Sequence, residues 1–119
     1  MNTQKISLAQ NTSFGATVKI NAPENLIKQA EKAYFESLGP KIGSATDIFE
    51  VTISDLHPSK FDSSTLLYSC TQNYKQLKNG EYHSNKSHID IPYIKDGKTM
   101  DAKSPLSFLK RIFDRKINN

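Results

Sequence analysis

The chain has no tryptophan and a single cysteine, Cys70, among its 119 residues. One cysteine excludes an internal disulfide framework and every paired-cysteine zinc spacing. No run of apolar residues approaches the length needed to cross a bilayer as a helix. The start, Met1-Asn2-Thr3-Gln4-Lys5, is polar, so no signal peptide is read and a cytoplasmic setting is the expectation. The five glycines stand apart at 15, 39, 43, 80 and 97, which leaves no phosphate-binding loop and no dinucleotide fingerprint. No cofactor is therefore expected. The excess of one sign of charge is small too: a net +4 favours acidic partners only mildly.

What is present is one domain's worth of patterned sequence, since 119 residues are too few for two ordinary domains. Residues 1–12 read as a flexible N-terminus or a short edge strand, and residues 13–119 as a single α+β domain. Phe14, Ala16, Val18 and Ile20 alternate with polar residues, the mark of a strand with one face in the core. Asn21-Ala22-Pro23-Glu24 then carries start signals for a helix from Ala22 to Leu38, with Gly39-Pro40 as its stop. Leu26, Ile27, Ala30, Ala33, Tyr34 and Leu38 form the expected buried arc, with Lys28, Lys32 and Glu36 facing away. Gly39 is assigned a left-handed cap.

Phe49, Val51 and Ile53 give a second one-sided strand. Residues 55–64 read as a loop with Leu56 and Phe61 as its anchors. Asn79-Gly80 is the strongest short hairpin signal, because a type I′ turn needs positive φ at both central residues. Fixing that turn sets Lys78 opposite Glu81, Cys70 opposite Ile89, Tyr68 opposite Ile91 and Leu66 opposite Tyr93, so the apolar pairs share a face. The outer half of this hairpin is polar: either one long arm, or a strand broken by a turn at Ser84 to Ser87. Asp96-Gly97 marks a second turn, pairing Tyr93 with Met100. Ser104-Pro105 opens a C-terminal helix whose stripe is Leu106, Leu109, Phe113 and Ile117, widened by Phe108 and Ile112.

The expected order is β-α-β-β-β-(β)-α: one long helix on a mostly antiparallel sheet of four to five strands, plus a C-terminal helix. A strand, a helix and a run of antiparallel strands resembles the cystatin-like arrangement, without the inhibitory loop motif. Helix, three strands, helix is similar to the order in double-stranded-RNA-binding domains. Their lysine-rich entry to the last helix is absent here, where Lys103 alone precedes Ser104-Pro105.

Catalytic chemistry finds few parts. Ser54, Asp55 and His57 superficially match triad components, but nothing resembles a nucleophile elbow, and a turn with a self-bonded Asp is the simpler reading. His83 and His88 fall on opposite faces if the strand is unbroken; a turn at Ser84 to Ser87 could bring them together, with Asp90 or Cys70 joining, but no zinc-type spacing is present and no metal site is assigned. Cys70 sits on the core-facing phase and reads as a small buried hydrophobe.

The first functional expectation is a non-catalytic binding or protein-interaction module, acting through a sheet face, a sheet edge or the last helix. Phe108, Ile112, Arg111 and Arg115 are its candidate contacts, and a protein partner or a second copy is the candidate occupant. The alternative is an RNA- or DNA-binding module using Lys75, Lys78, Tyr82, Lys86 and Lys110, cations interleaved with an aromatic. A small enzyme ranks third, and no small-molecule site is evident.

Overall fold

The computed structural model of the chain describes residues 15–93 and 104–118. Its elements are β1 (Thr17–Asn21), α1 (Gln29–Glu36), a 3-10 turn (Gly39–Lys41), β2 (Ile48–Ile53), β3 (His57–Pro58), β4 (Leu66–Lys78), β5 (Glu81–Pro92) and α2 (Pro105–Ile117). This is an α+β fold with a five-stranded sheet. The sheet is mixed: β1 runs parallel to β2, from Thr17 opposite Ile48 to Asn21 opposite Thr52. A helical crossover between neighbouring strands returns the chain in the same direction. That parallel pair departs from the antiparallel run of the cystatin-like arrangement.

The long helix expected from Ala22 to Leu38 is corrected to the eight residues of α1. Before it, the Pro23 carbonyl accepts from both Leu26 and Ile27 N–H in a turn. The N-terminal box is closed by Glu31, whose carboxylate accepts Lys28 N–H at 2.8 Å, rather than by Asn21 and Glu24. The buried face is also rotated from the expected arc. Phe35 is buried and Tyr34 is 60% exposed, with Ala30 and Ala33 also exposed. The cause is the edge of β1. Ile20 N–H donates to Glu36 Oε2 at 3.0 Å, and Lys32 Nζ donates to the Ala22 carbonyl at 3.0 Å. Two charged residues assigned to solvent instead satisfy backbone groups that no described strand reaches.

Gly39 has no positive φ and is not a left-handed cap. It is needed for contact. A Cβ there would collide with the Ala16 carbonyl, and one at Gly15 with the Pro40 backbone. With both side chains absent, Ala16 N–H donates to the carbonyls of Gly39 (3.1 Å) and Gly43 (3.0 Å), seating the start of β1 on the 3-10 turn.

The hairpin forms as its turn dictates. Asn79 and Gly80 have φ of 54° and 82°. The ladder runs from Lys78 opposite Glu81 through Cys70 opposite Ile89 to Tyr68 opposite Ile91. It ends beyond Leu67 opposite Pro92 with Tyr93 N–H donating to the Leu66 carbonyl at 2.9 Å. β5 is unbroken at Ser84 to Ser87, which decides for one long arm. The inner part of that arm is integrated, because β2 lies along β4 from Cys70 to Lys75.

β2 and β3 share the same edge of β4. Ile53 is opposite Cys70 and His57 opposite Leu67, so four steps on one side answer three on the other. The extra residue is a β-bulge at Asp55-Leu56. Its start is fixed by Ser54, which donates N–H to the Ser69 carbonyl (2.9 Å) and accepts Ser69 N–H on its hydroxyl (2.8 Å). Leu56 packs on the core, but Phe61 is 99% exposed and anchors nothing. Asp62 holds that loop instead, accepting from Ser64 N–H and from the hydroxyls of Ser64 and Thr65.

One sheet face carries the core: Val18, Ile20, Phe49, Val51, Ile53, Tyr68, Cys70 and Ile91. α2 closes over it with Leu109, Ile112 and Phe113. The Phe113 ring lies 4.9 Å from Phe35 and 5.5 Å from Phe49, joining both helices to the sheet. Ser104 caps α2 by accepting Ser107 N–H at 3.2 Å. Residues 1–12, Phe14 and the turn expected at Asp96-Gly97 lie outside the described residues.

Candidate functional site

The hairpin decides which way the backbone of β5 faces. In a two-residue hairpin the pair flanking the turn exchanges both backbone bonds, and bonded pairs then recur every second residue. Lys78 and Glu81 flank the turn, so Glu81, His83, Asn85, Ser87, Ile89 and Ile91 direct N–H and C=O toward β4. The bond from Tyr93 to Leu66 continues the same parity. Tyr82, Ser84, Lys86, His88 and Asp90 therefore point their backbone groups away from β4. Pro92 shares their phase, and its missing N–H costs nothing in the ladder. Among the described residues no strand lies along that outer edge. Every residue of β5 except Ile91 is exposed, including Tyr82 at 49% and Ile89 at 47%.

The sheet face away from the helices carries a chain of polar contacts. His57 Nε2 stands 3.1 Å from Ser69 Oγ, which donates to Asp90 Oδ1 at 2.6 Å. The same Oδ1 is 3.1 Å from His88 Nε2, and His88 Nδ1 is 2.9 Å from Thr71 Oγ1. The Ser69 hydroxyl chiefly, helped by His88, holds the Asp90 carboxyl below the usual carboxylate range. Thr71, His88 and Asp90 thus line up as hydroxyl, imidazole and carboxylate. They do so on an open face, with His88 57% and Asp90 50% exposed at the side chain. Three depressions formed by described residues lie on the helical side, and none of them includes this chain of contacts.

Ser54, Asp55 and His57 do not assemble. Asp55 accepts from the adjacent Leu56 N–H, and His57 turns to Ser69. His83 and His88 lie on opposite faces, opposite Gln76 and Thr71 in the ladder. His57 and His88 reach the same Ser69–Asp90 contact from its two ends, His57 through the Ser69 hydroxyl and His88 through Asp90 Oδ1. No three His, Cys, Asp or Glu among the described residues are placed to hold a metal. Cys70 is 1% exposed, and burial pushes its thiol up to about 11.

The residues singled out from sequence are divided between surfaces. Ile112 is buried and Phe108 partly buried against the core, so the apolar side of α2 is spent inside the molecule. Arg111 and Arg115 are exposed on α2. Lys75 is on the opposite sheet face, ion-paired with Glu50 at 3.2 Å. Lys86 shares that face with Tyr82, whose hydroxyl donates to the Thr46 carbonyl at 3.1 Å. Lys78 is beside the turn, and Lys110 lines a shallow groove between the helices with Tyr34, Phe35 and Leu106. The sheet thus separates Lys75 and Lys86 from the cations of α2.

The sequence reading missed the contacts joining Ser69 to Asp90 and Thr71 to His88. The signal was available, since the register that pairs Cys70 with Ile89 also makes these two pairs direct neighbours. His57 had no such signal, because its place depends on the bulge.

No helix among the described residues is long and apolar enough to cross a membrane. No family model matches the chain, and no curated protein matches it.

Proposed function

We propose that this chain is a non-catalytic binding module that meets a protein partner along the outer edge of β5. One observation carries the reading: a twelve-residue strand whose alternate backbone groups point outward, with no described strand to receive them. Such an edge is a template for adding a strand from another chain. The partial exposure of Ile89, opposite the buried Cys70, supports it, because an added strand would extend the apolar face just where cover runs out. Nucleic-acid binding draws less support, since the cations it would need are divided by the sheet.

The test is site-specific photo-crosslinking in the full chain. A photoreactive side chain at Ser84 or Ser87 should yield a discrete protein adduct, and one at Lys19, on the opposite edge strand, should not. Equal yields at all three positions would overturn the reading. So would retention of the purified protein on nucleic acid that falls steeply with salt.

A further inference from the structure

We infer that the partner along this edge is a second copy of the chain, its β5 antiparallel to the first about a two-fold axis at His88. The inference rests on the edge reading above and narrows it to one occupant. A two-fold interface must be self-complementary, each residue meeting the same partner in both directions. Backbone parity restricts the choices, because only outward-facing residues (Tyr82, Ser84, Lys86, His88, Asp90, Pro92) can be set opposite one another. With His88 opposite its copy, Lys86 meets Asp90 of the partner on both sides of the axis, and Ser84 N–H meets the Pro92 carbonyl. Sliding either strand by two residues sets Lys86 against His88 or Pro92 and loses both ion pairs. A further slide one way sets Lys86 against itself.

The side chains agree with that register. Lys86 is exposed on the open face and makes no ion pair among the described residues. Among the described residues, the bonds made by Asp90 fall on Oδ1, so the register offers the partner's Lys86 the second oxygen. On the helical face Ile89 stands opposite the partner's Ser87, and the two Ile89 side chains become diagonal neighbours across the axis, within reach of each other. A lysine in mid-edge ordinarily discourages strand addition. Here it acts as a selector, since the one register that gives it a carboxylate is favoured over the rest.

The experiment is sedimentation velocity on the full chain at low salt, with a charge swap. The wild-type chain should sediment as a dimer at about 100 µM. Lys86→Asp, which leaves the Ser69–Asp90–His88 contacts in place, should weaken association about tenfold or more, as opposed like charges do. Asp90→Lys should do the same, and the double variant K86D/D90K should restore it to within about threefold, the signature of a direct pair. Circular dichroism on each variant shows that the fold is retained. A double variant no better than either single one overturns the register. A monomeric wild-type chain overturns self-pairing: if crosslinks from Ser84 and Ser87 then reach a different protein, the edge reading stands alone, and if they reach none both fail.

Discussion

Tyr74 donates its hydroxyl proton to Asp47 Oδ2 over 2.6 Å, tying the middle of β4 to the loop that enters β2. Asp47 is a buried carboxylate, 7% exposed, and its other recorded partner is Ser44 N–H at 3.2 Å on the same oxygen. Burial first, and the Asp47 bond second, push the Tyr74 phenol up to about 12. Lys116 of α2 sits 4.6 Å from the centre of the same ring. One tyrosine therefore links sheet, loop and last helix.

Tyr74→Phe should keep the ring against Phe49 and Lys116 while removing the hydroxyl. A buried acceptor stripped of its main donor costs ~1–3 kcal/mol. Urea unfolding followed by circular dichroism should show a lower midpoint with an unchanged slope. An unchanged midpoint would mean that water replaces the hydroxyl without penalty.

Gly39→Ala tests the seat of β1. The added methyl would collide with the Ala16 carbonyl, a backbone atom that cannot swing aside as a flexible side chain can. Overpacking of this kind costs about 1–3 kcal/mol, and the two bonds from Ala16 N–H should weaken with it. Hydrogen exchange at Ala16 and Thr17 should accelerate while Tyr68 and Cys70 stay protected. Uniform acceleration across the sheet would show instead that β1 opens only with the whole molecule.

The positions where sequence reading succeeded and failed have a common physical origin. The register of β4 and β5 follows from two adjacent residues, because a type I′ turn is local and every later pair is bound to it. The buried face of α1 does not follow from its own periodicity. It is set by the Ile20 N–H and the Ala22 carbonyl, groups in a strand and a loop that precede the helix, which recruit Glu36 and Lys32. For α2 the apolar arc was legible, but whether it faced a partner or the core depended on the distant Phe35 and Phe49, against which Phe113 packs. The site is mixed in the same way. Ser69 opposite Asp90 was implicit in the hairpin, and the edge of β5 that no described strand covers emerges only once β2 is seen to take the other side of β4.

Gly80→Ala probes the turn alone. Gly80 has φ of +82°, and a Cβ there would meet nothing within 4 Å, so the penalty is purely conformational. Left-handed backbone costs a non-glycine residue roughly 1–2 kcal/mol. The melting temperature should fall by several degrees, with the β4–β5 register unchanged by cross-strand nuclear Overhauser effects. A shifted register would mean that side-chain pairing, and not the turn, sets the alignment.

Acid should act through Asp90 and Asp62. Both carboxyls are held below their ordinary value, Asp90 mainly by the Ser69 hydroxyl and Asp62 mainly by the Ser64 hydroxyl. A group with a depressed native pKa stabilises the fold above its unfolded value, and that contribution disappears as pH falls through the native one. The melting temperature should therefore decline as pH drops below the ordinary carboxylate range. In Asp90→Asn and Asp62→Asn the decline should be shallower, each variant lying closer to wild type at pH 2 than at pH 6. Parallel curves for wild type and both variants would show that neither carboxylate contributes to the pH dependence.

Cys70 offers the last check, because its reactivity reports on whether the β4–β5 pair stays closed. Its side chain is 1% exposed between Ile53 and Ile89, and its thiol is raised to about 11 by burial. At pH 8 about one thiol in a thousand would then be ionised, and the thiolate is the nucleophile. Access and ionisation both oppose reaction, so an aromatic disulfide reagent should label the native chain at the rate of its opening. In urea above the unfolding midpoint, labelling should be complete within the mixing time of a manual assay. Substituting Ile91→Ala, which loosens the pair beside Tyr68, should raise the native rate together with the population of open molecules. Fast labelling of the unmodified native chain would mean that the centre of the sheet breathes readily, and β5 could not then hold the fixed edge that strand addition requires.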